Sequence, residues 1–388
     1  MVKIVDIDSH FVEDPREYFH HQSHEATARS GALPMTFTPI KFRDVELKNR
    51  IVVSPMCMYS SQDGFSTDWH IAHYGGLAMK QPGAVIVEAT NVQANGRISI
   101  NCLGIYKDEH VEGLSRVARI IKMHGVVPGI QLGHAGRKAS TLPLWRGRDE
   151  VASEASGGWP NNVKAPSAIP FNADNADPIE LTKDEILELV EDFGKAAARA
   201  DKAGFEIAEI HAAHGYILSE FLSPSSNKRT DEYGGSFENR IRLLLQVVDS
   251  MKKNWPSGKS IWVRISCTEW VEGGWTIEDS VELSKRLKDL GVDLVDCSSG
   301  GITASQKIGY KPLFQVPFAE QIRTEAGIST GAVGFITQPR EVEDILSSGK
   351  ADVVLLARKF LSEPTFVLRA ASELGVDLPW IYQHNRGK

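Results

Sequence analysis

Cysteine is scarce in this sequence. The chain of 388 residues contains four cysteines, Cys57, Cys102, Cys267 and Cys297. Their spacing does not match a disulfide framework. No Cys-x-x-Cys pair occurs among them. Small secreted domains are rich in disulfides, and redox or zinc sites commonly use such pairs. We therefore expect a reducing location, the cytoplasm, and no metal site.

Positive charge and long apolar runs are also lacking. Lys and Arg together number 43 against 50 Asp and Glu, a formal net charge of −7. This balance argues against a nucleic-acid partner, because such proteins present clustered positive charge. No apolar run approaches the roughly 20 residues that span a bilayer. Residues 1–24 also lack the apolar stretch of a signal peptide, so no membrane association is predicted.

What the sequence does contain is an alternation of strand-length apolar runs with helical patterns. The runs are continuously apolar, as in parallel strands that are buried on both faces. They occupy Ile51–Ser54, Ala84–Glu88, Val126–Leu132, Phe205–Ile210, Ile261–Ile265, Leu294–Cys297, Ala332–Ile336 and Val353–Leu356. This alternation predicts an α/β fold, a (β/α)8 TIM barrel. An open doubly wound sheet is the alternative, but no Gly-x-Gly-x-x-Gly follows the first strand.

The helical patterns between the runs have clear ends. In the clearest one, Thr182 and Glu185 form a capping box at the start, and Gly204 marks the end. The others cover about His110–His124, Phe237–Asn254, Thr276–Leu290, Val316–Glu325, Pro339–Ser347 and Pro364–Leu374.

Three segments stand outside this alternation. Residues 1–34 are polar and are predicted to be an N-terminal extension of a barrel domain, with a C-terminal tail, that covers residues 35–388. Phe37–Asn49 predicts a hairpin that closes the bottom of the barrel. The connection after the third strand, residues 136–181, is too long for a plain crossover and predicts an excursion over the site.

Polar side chains collect where the predicted strands end, which is where barrel enzymes keep their chemistry. His211, His214 and Tyr216 bring three groups that can hold or move a proton to the end of the fourth strand. After the last strands, small residues and Arg358 suit a phosphate. Gln131 could pair with a heterocyclic amide edge, and Arg264 could stabilise a negative ring nitrogen. A flat redox ring that carries a phosphate would fit these groups.

Longer motifs occupy the strand ends and the loop after the fourth strand. In chain order they are Ser-Pro-Met-Cys-Met-Tyr from Ser54, Glu-Ala-Thr from Glu88, Gln-Leu-Gly-His-Ala-Gly-Arg-Lys from Gln131, His-Ala-Ala-His-Gly-Tyr from His211 and Ser-Pro-x-x-Asn-x-Arg-x-Asp-x-Tyr-Gly-Gly-Ser-x-Glu-Asn-Arg from Ser223. In this order they resemble the Old Yellow Enzyme family of FMN-dependent ene-reductases, in particular its bacterial-type subclass. The resemblance begins near residue 35 and continues to the C-terminus.

The resemblance implies a bound FMN and NADPH as co-substrate. It assigns FMN binding to Ser54, Pro55, Met56, Cys57, Ala89, Gln131, Arg264, Ser299, Gly334, Ala357 and Arg358. At position 357 the family usually has glycine, and alanine narrows the approach to the phosphate.

The resemblance also implies a small-molecule substrate, an α,β-unsaturated carbonyl compound, bound by Tyr59, Lys138, His211, His214 and Arg386. His211 and His214 would hold its carbonyl oxygen, and Tyr216 would donate a proton. Arg386 is the position that reaches a neighbouring subunit in this subclass, so a homodimer or higher homo-oligomer is expected, although the family's Tyr and Trp are replaced near it by His384 and Lys388.

Two other functions remain open on the residues alone. A Schiff-base aldolase or sugar-phosphate isomerase could use the phosphate site and Lys138 as nucleophile, but a lysine would be expected where Ser298-Ser-Gly-Gly ends the sixth strand. A flavin-binding sensor would keep the flavin contacts but would not need His211, His214 and Tyr216 together.

Overall fold

The computed structural model describes residues 25–147 and 150–387, and eight of its strands close into a parallel barrel. In barrel order these strands are β4 (Ile51–Val53), β5 (Ala84–Asn91), β6 (Val127–Gly133), β9 (Ile207–Ala212), β10 (Ser260–Ser266), β11 (Leu294–Ser298), β12 (Ser329–Ala332) and β13 (Val353–Leu356). Since β13 pairs with β4, the sheet has no free edge. The predicted (β/α)8 barrel is confirmed.

Helices follow the strands on the outside of the barrel. They are α1 (Asp68–Ala78), α2 (His110–Met123), α3 (Lys183–Ala203), α4 (Ile217–Leu222), α5 (Phe237–Asn254), α6 (Ile277–Asp289), α7 (Val316–Ala326), α8 (Pro339–Ser347), α9 (Arg358–Ser362) and α10 (Phe366–Glu373). Thr182 accepts from the Glu185 backbone N–H, and Gly204 ends α3 in the left-handed conformation, so the predicted capping signals are correct. The short helices α4 and α9 were not predicted, because they are too short to show a period.

The predicted hairpin consists of β2 (Ile40–Phe42) and β3 (Val45–Leu47), and it covers the end of the barrel where the strands begin. Phe42 packs edge-on against Trp262, with ring centroids 5.5 Å apart. Both belong to an apolar cluster with residues from the starts of the strands, including Val52 and Ala84. The bottom of the barrel is therefore a packed core, and the opposite end is left for the site.

One predicted strand is misplaced. Apolar residues predict a strand over Ala332–Ile336, but β12 ends at Ala332. Gly334 and Phe335 have φ values of 106° and 51°, which a strand does not adopt. Their apolar neighbours are buried because the loop folds over the barrel end, so burial was mistaken for strand structure.

Four short strands of the described chain lie outside the barrel and the hairpin. β1 (Thr27–Ala28) pairs with β14 (Val376–Asp377), so the start and the end of the described chain meet. Of the predicted extension, residues 1–24 lie outside the described residues. Within the excursion after β6, β7 (Lys164–Ala165) pairs with β8 (Ile179–Glu180), and most of the rest is turns and single helical turns. Among the helices of the described ranges, none is both long and apolar enough to cross a membrane.

Candidate active site

The histidine motif lies at the end of β9, where the strand meets the loop to α4. The rings of His211 and His214 are perpendicular, with centroids 5.2 Å apart. The Tyr216 ring is also edge-on to His211, at 4.9 Å. The structure thus brings the three predicted catalytic residues together at the carboxyl end of the barrel.

His214 is held in a backbone conformation that is unusual for a residue with a side chain. Its φ is 60°, in the left-handed region. Its backbone N–H donates to Ser266 Oγ at 2.8 Å, and its carbonyl accepts from Lys138 Nζ at 2.9 Å. Its ring Nε2 lies 2.6 Å from Ser298 Oγ. Ser266, Lys138 and Ser298, which lie at or after the ends of three other strands, therefore fix the backbone and the ring of His214.

Both imidazoles are neutral at ordinary pH. Burial lowers the pKa of His211 and of His214 well below the usual value, and the nearby charges of Arg264 and Lys138 lower it further. His211 Nδ1 is buried and has no hydrogen-bond partner within the described part of the chain. A neutral imidazole offers one N–H donor and one acceptor, which suits binding of a polarised oxygen.

Lys138 and Tyr59 lie beside this motif, as expected. The Lys138 ammonium donates to the carbonyl oxygens of His214 and Gly301, the latter at 2.7 Å, and it lies 5.5 Å from the Tyr216 ring centroid. Burial raises the pKa of Tyr59, and nearby ionisable groups including Tyr216 add to the rise. The Tyr59 ring is edge-on to Trp145 of the excursion, at 5.7 Å.

A cavity of about 280 Å³ opens next to His214 at the ends of the last strands. Six of the predicted cofactor residues line it: Ser54, Arg264, Ser299, Gly334, Ala357 and Arg358. At Gly334 the backbone has φ 106°, and an added Cβ would lie 2.7 Å from Gln315 Nε2, so only glycine fits. Arg358 is exposed and lies over the Phe335 ring, 4.8 Å from its centroid.

Gln131 and Arg264 are each backed by a carboxyl group inside the barrel. The strand register pairs Gln131 with Glu209 and Arg264 with Asp296. Gln131 Nε2 donates to Glu209 Oε1 at 2.8 Å, and Arg264 Nε lies 3.1 Å from Asp296 Oδ2. Arg264 also donates to Ser54 Oγ at 3.2 Å. Both predicted side chains are therefore fixed in orientation.

The two carboxyl groups share a proton. Burial and the charge of Asp296 raise the pKa of Glu209 to about 8. Burial raises the pKa of Asp296 too, while the Arg264 charge opposes it. A proton on Glu209 directed at Asp296 gives a partner to Glu209 Oε2 and to one Asp296 oxygen, neither of which accepts or donates a hydrogen bond otherwise among the described side chains, and Asp296 Oδ2 faces Arg264 Nε.

The segment after β4 lies against the end of β5. Cys57 packs in an apolar cluster with Ala89, Tyr59 and Tyr216, and Met56 packs against the main core. Pro55, between Ser54 and Met56, is half-buried. The next residue, Met58, donates its backbone N–H to the buried Glu88 carboxylate at 2.9 Å. Pro55, Met56 and Cys57 thus lie in the segment between Ser54, which lines the cavity, and Tyr59, and Ala89 lies on the neighbouring strand β5.

Arg386 is the predicted residue that the structure keeps away from its own site. It is exposed on the C-terminal 3-10 segment Tyr382–Gly387. In that segment His384 Nδ1 lies 3.5 Å from Lys80 Nζ, just after α1. Barrel helices end at the face where the strands begin, opposite the site. The C-terminal segment that carries Arg386 therefore lies near the face opposite the site of its own barrel.

Sequence reasoning did not select several buried polar residues that organise this site. They are Glu88, Glu209, Ser266, Asp296 and Ser298. A carboxylate within a strand-length apolar run was an available signal for Glu209 and Asp296, because an unpaired carboxylate is seldom buried. No group of three or more metal-ligating side chains occurs in the ranges 25–147 and 150–387.

The donor set fits FMN. The cavity ends at a small-residue loop beside Arg358, as a phosphate requires. Gln131 and Arg264 are buried, pre-oriented hydrogen-bonding groups at the barrel centre, as a ring with polar edges requires. Ala357, the departure from the family pattern, still lines the cavity.

Comparison with known proteins gives a consistent family. Residues 35–377 match the model of the NADH:flavin oxidoreductase / NADH oxidase family. An NADPH dehydrogenase of Geobacillus sp. (strain WCH70) is 48% identical, over 91% of this chain and 98% of that protein. An NADPH dehydrogenase of Bacillus subtilis (strain 168) is 46% identical, over 90% and 98%. An NADH:flavin oxidoreductase of Gibberella zeae is 43% identical, over 96% and 94%.

Solved structures agree with these relatives. Morphinone reductase is 26% identical with a TM-score of 0.73, over 90% of this chain and 92% of that one. The Old Yellow Enzyme homologue from Zymomonas mobilis is 28% identical with a TM-score of 0.71, over 88% and 93%. The chain therefore belongs to the NADH:flavin oxidoreductase / NADH oxidase family, with Old Yellow Enzyme homologues as structural neighbours, and is an oxidoreductase of the NADPH dehydrogenase type that uses FMN and NADPH.

Proposed function

We propose that this protein is an ene-reductase that reduces the carbon–carbon double bond of α,β-unsaturated carbonyl compounds. The observation that carries the proposal is the pair of neutral imidazoles of the buried His211 and the half-buried His214, packed with Tyr216 beside the cavity. A protein that only stored or sensed flavin would not need this group. FMN, when bound, supplies the hydride-transfer chemistry between NADPH and the β-carbon of the alkene.

In this proposal His211 and His214 hold the carbonyl oxygen of the substrate. Negative charge grows on that oxygen during reduction, and two fixed N–H donors stabilise it more than they stabilise the starting compound. Loss of one such donor is expected to raise the barrier by roughly 2.7 to 4 kcal/mol. Because the pKa values of both rings are lowered, they act as hydrogen-bond donors and do not carry a charge.

Tyr216 is proposed to give its phenolic proton to the α-carbon. Its ring is in contact with His211, so a substrate held by the imidazoles would lie next to it. The Lys138 ammonium near that ring would stabilise the phenolate left behind. Since Lys138 also donates to two backbone carbonyls, we assign it to holding the His214 loop as well as to the substrate wall.

The remaining assignments follow the geometry of the cavity. We propose that Ser54, Pro55, Met56, Cys57, Ala89, Gln131, Arg264, Ser299, Gly334, Ala357 and Arg358 hold FMN, and that Tyr59 lies beside the substrate. Arg386 is proposed to reach the site of a second subunit in a homodimer or larger assembly, which its place at the opposite face of its own barrel supports. Four free cysteines are consistent with a cytoplasmic enzyme.

The direct test is the visible spectrum of the pure protein, recorded without oxygen. Flavin bands are expected to bleach with NADPH and to return when 2-cyclohexenone is added. A protein that remains colourless after incubation with FMN would contradict the proposal. Bands that bleach but do not return with any enone would limit the activity to NADPH oxidation.

A substitution separates the two half-reactions. Tyr216→Phe is expected to retain bleaching by NADPH, which needs no proton at the α-carbon, and to lose most of the reoxidation by 2-cyclohexenone. Tyr106→Phe is the matched control. The Tyr106 hydroxyl donates to Asp63 O at 3.0 Å, and its ring contacts His110 at the start of α2; neither partner belongs to the proposed site. Equal rates of flavin reoxidation by 2-cyclohexenone in both variants would show that Tyr216 is not the proton donor.

A further inference from the structure

Tyr59, which is proposed to lie beside the substrate, has a backbone conformation that a tyrosine rarely adopts. Its φ is 49°, in the left-handed region, where the side chain crowds the backbone. A residue keeps such a conformation only where the surrounding structure holds the chain in place. Because the backbone of Tyr59 sets the direction of its side chain, the contacts that hold Met58 and Ser60 decide where the phenol ring lies.

Three hydrogen bonds hold the chain on the two sides of Tyr59. Before it, the Met58 N–H donates to Glu88 Oε2 at 2.9 Å, and the Met58 carbonyl accepts from Ser60 Oγ, also at 2.9 Å. After it, the Ser60 carbonyl accepts from Thr67 Oγ1 at 3.1 Å. The two outer anchors are therefore Glu88 on β5 and Thr67, which precedes α1.

His70, in the first turn of α1, connects these two anchors. Its Nδ1 accepts from the Thr67 N–H at 3.0 Å, so the proton of the neutral ring lies on Nε2. Nε2 lies 3.4 Å from Glu88 Oε1, a contact without the alignment of a hydrogen bond, and both side chains are completely buried. The contacts close into a ring around Tyr59, called here the Tyr59 clamp, which consists of Met58, Ser60, Thr67, His70 and Glu88.

The groups around the Glu88 carboxyl are donors. Tyr74, one turn after His70 on α1, donates its hydroxyl to Glu88 Oε1 at 3.2 Å and accepts from the Glu88 N–H at 2.9 Å. The Met58 N–H and the ring N–H of His70 lie against the same carboxyl group. An ionised carboxylate only accepts hydrogen bonds, so these three donors suit its charged form. Burial of a charge costs free energy that packing alone does not require, which indicates a role for Glu88 beyond the core.

A bulge in β5 brings Glu88 to this position. The β5–β6 register shifts between Val87 and Thr90, so Glu88 and Ala89 together oppose a single residue of β6. An extra residue of this kind bends the strand and changes the direction of its side chains. Glu88 therefore reaches α1, while the next residue, Ala89, packs beside Tyr59.

We propose that Glu88 is a positioning residue, which through the Tyr59 clamp holds the Tyr59 ring against the substrate and so raises the affinity for the enone. The inference rests on the proposed ene-reductase function, because the position of Tyr59 matters in this way only if an enone binds beside it. Glu88 is fully buried behind the segment that carries Tyr59, so its effect on the substrate passes through residues 58–60.

The test measures the affinity of the FMN-loaded protein for 2-cyclohexenone in Glu88→Gln, Tyr59→Ala and the double variant. Glutamine has one acceptor oxygen where Glu88 has two, so its amide N–H₂ would face either the Met58 N–H or the donors of α1. The dissociation constant is read from the change in flavin absorbance of the oxidised protein, where no turnover occurs, and KM and kcat are read from turnover.

We expect Glu88→Gln to raise Kd and KM about tenfold, the effect of roughly one hydrogen bond, and to change kcat by less than about twofold. In the Tyr59→Ala background the same substitution should add nothing, because the ring that the clamp positions is gone. Unchanged Kd and KM in Glu88→Gln, or an effect that adds to that of Tyr59→Ala, would overturn the proposal.

The wild type separates failure of this proposal from failure of the proposed function. If 2-cyclohexenone neither changes the flavin absorbance nor reoxidises the reduced wild-type protein, both are wrong. If the wild type binds and reduces the enone but Glu88→Gln does so equally well, only the role of Glu88 is wrong.

Variants at the other anchor of the clamp keep the test decisive if Glu88→Gln does not fold. Thr67→Ala removes the hydrogen bond to the Ser60 carbonyl and should also raise Kd, whereas Thr67→Ser keeps the hydroxyl and should restore it. Thr182→Ala is the matched control, since it removes the hydroxyl that caps another helix, α3, and should leave Kd unchanged. Equal Kd values in Thr67→Ala and Thr182→Ala would show that Thr67 only stabilises α1, and the proposal would be wrong.

Discussion

Replacing Glu209 with glutamine is expected to stabilise the protein in alkaline solution, although the residue lies at the centre of the barrel. Glu209 accepts from Gln131 through Oε1 and directs a proton at Asp296. Glutamine can reproduce both contacts, since its oxygen accepts and its N–H donates. It removes only the requirement that a buried carboxyl group keep its proton.

The magnitude follows from the pKa of Glu209, which rises from an ordinary value of 4.5 to about 8 on folding. Between these values the unfolded chain is ionised while the folded chain keeps the proton, so the free energy of unfolding falls as the pH rises. The contribution is fully present below pH 4.5 and is lost as the pH passes about 8. At about 1.4 kcal/mol for each pKa unit, the wild type loses roughly 5 kcal/mol over the whole range, of which roughly 3 to 4 kcal/mol falls between about pH 5 and about pH 8.

The assay is urea unfolding of the full chain, wild type and Glu209→Gln, at about pH 5 and about pH 8. We expect nearly equal stabilities at the lower pH and a variant that is roughly 3 to 4 kcal/mol more stable at the higher pH. Glu188→Gln, on the exposed face of α3, is the control for the same change of side chain outside the barrel. A Glu209→Gln protein that is less stable than the wild type at both pH values would show that Glu209 is ionised when folded and that its charge supports Arg264.

Three further predictions test other parts of the structure. Gly334→Ala should weaken FMN binding in a fluorescence titration, because its Cβ would lie 2.7 Å from Gln315 Nε2 and φ is 106°; unchanged affinity would contradict the close approach at that loop. Ser266→Ala removes the hydrogen bond to His214 N–H and should lower kcat for an enone about tenfold with little change in flavin content; an unchanged kcat would show that the other contacts suffice. Thr182→Ala removes the cap of α3 and should cost about 1 kcal/mol in urea unfolding without a change in enone turnover, and a loss of turnover would contradict a purely structural role.

Much of the fold could be predicted because its signals are local in the sequence. Seven of the eight barrel strands coincide with a predicted apolar run, and the long helices have their own period and ends, as in α5 and α8, whose bounds match the predicted ones. The exception, Ala332–Ile336, shows the limit of this reasoning. An apolar run reports burial, and only the backbone of Gly334 and Phe335 shows that part of the run is a loop.

The site could be predicted as a set of residues but not as a set of contacts. Strand ends meet at one face of a barrel, so His211, Arg264 and Arg358 could be placed at one site from their order alone. The sequence did not indicate which buried side chain forms a hydrogen bond or ion pair with each site residue. The support of Gln131 by Glu209 depends on the register between β6 and β9, which the sequence does not display.

The sequence by itself determined the alternation of strands and helices, the family motifs and the residues at the strand ends, because each depends on neighbours within a few positions. Closure of the barrel decided the rest. It brought Glu209 to Asp296, where burial made them share a proton, and it laid Glu88 against the segment that carries Tyr59. Such contacts join residues far apart in the chain, and their pKa values depend on burial that exists only after the chain has folded.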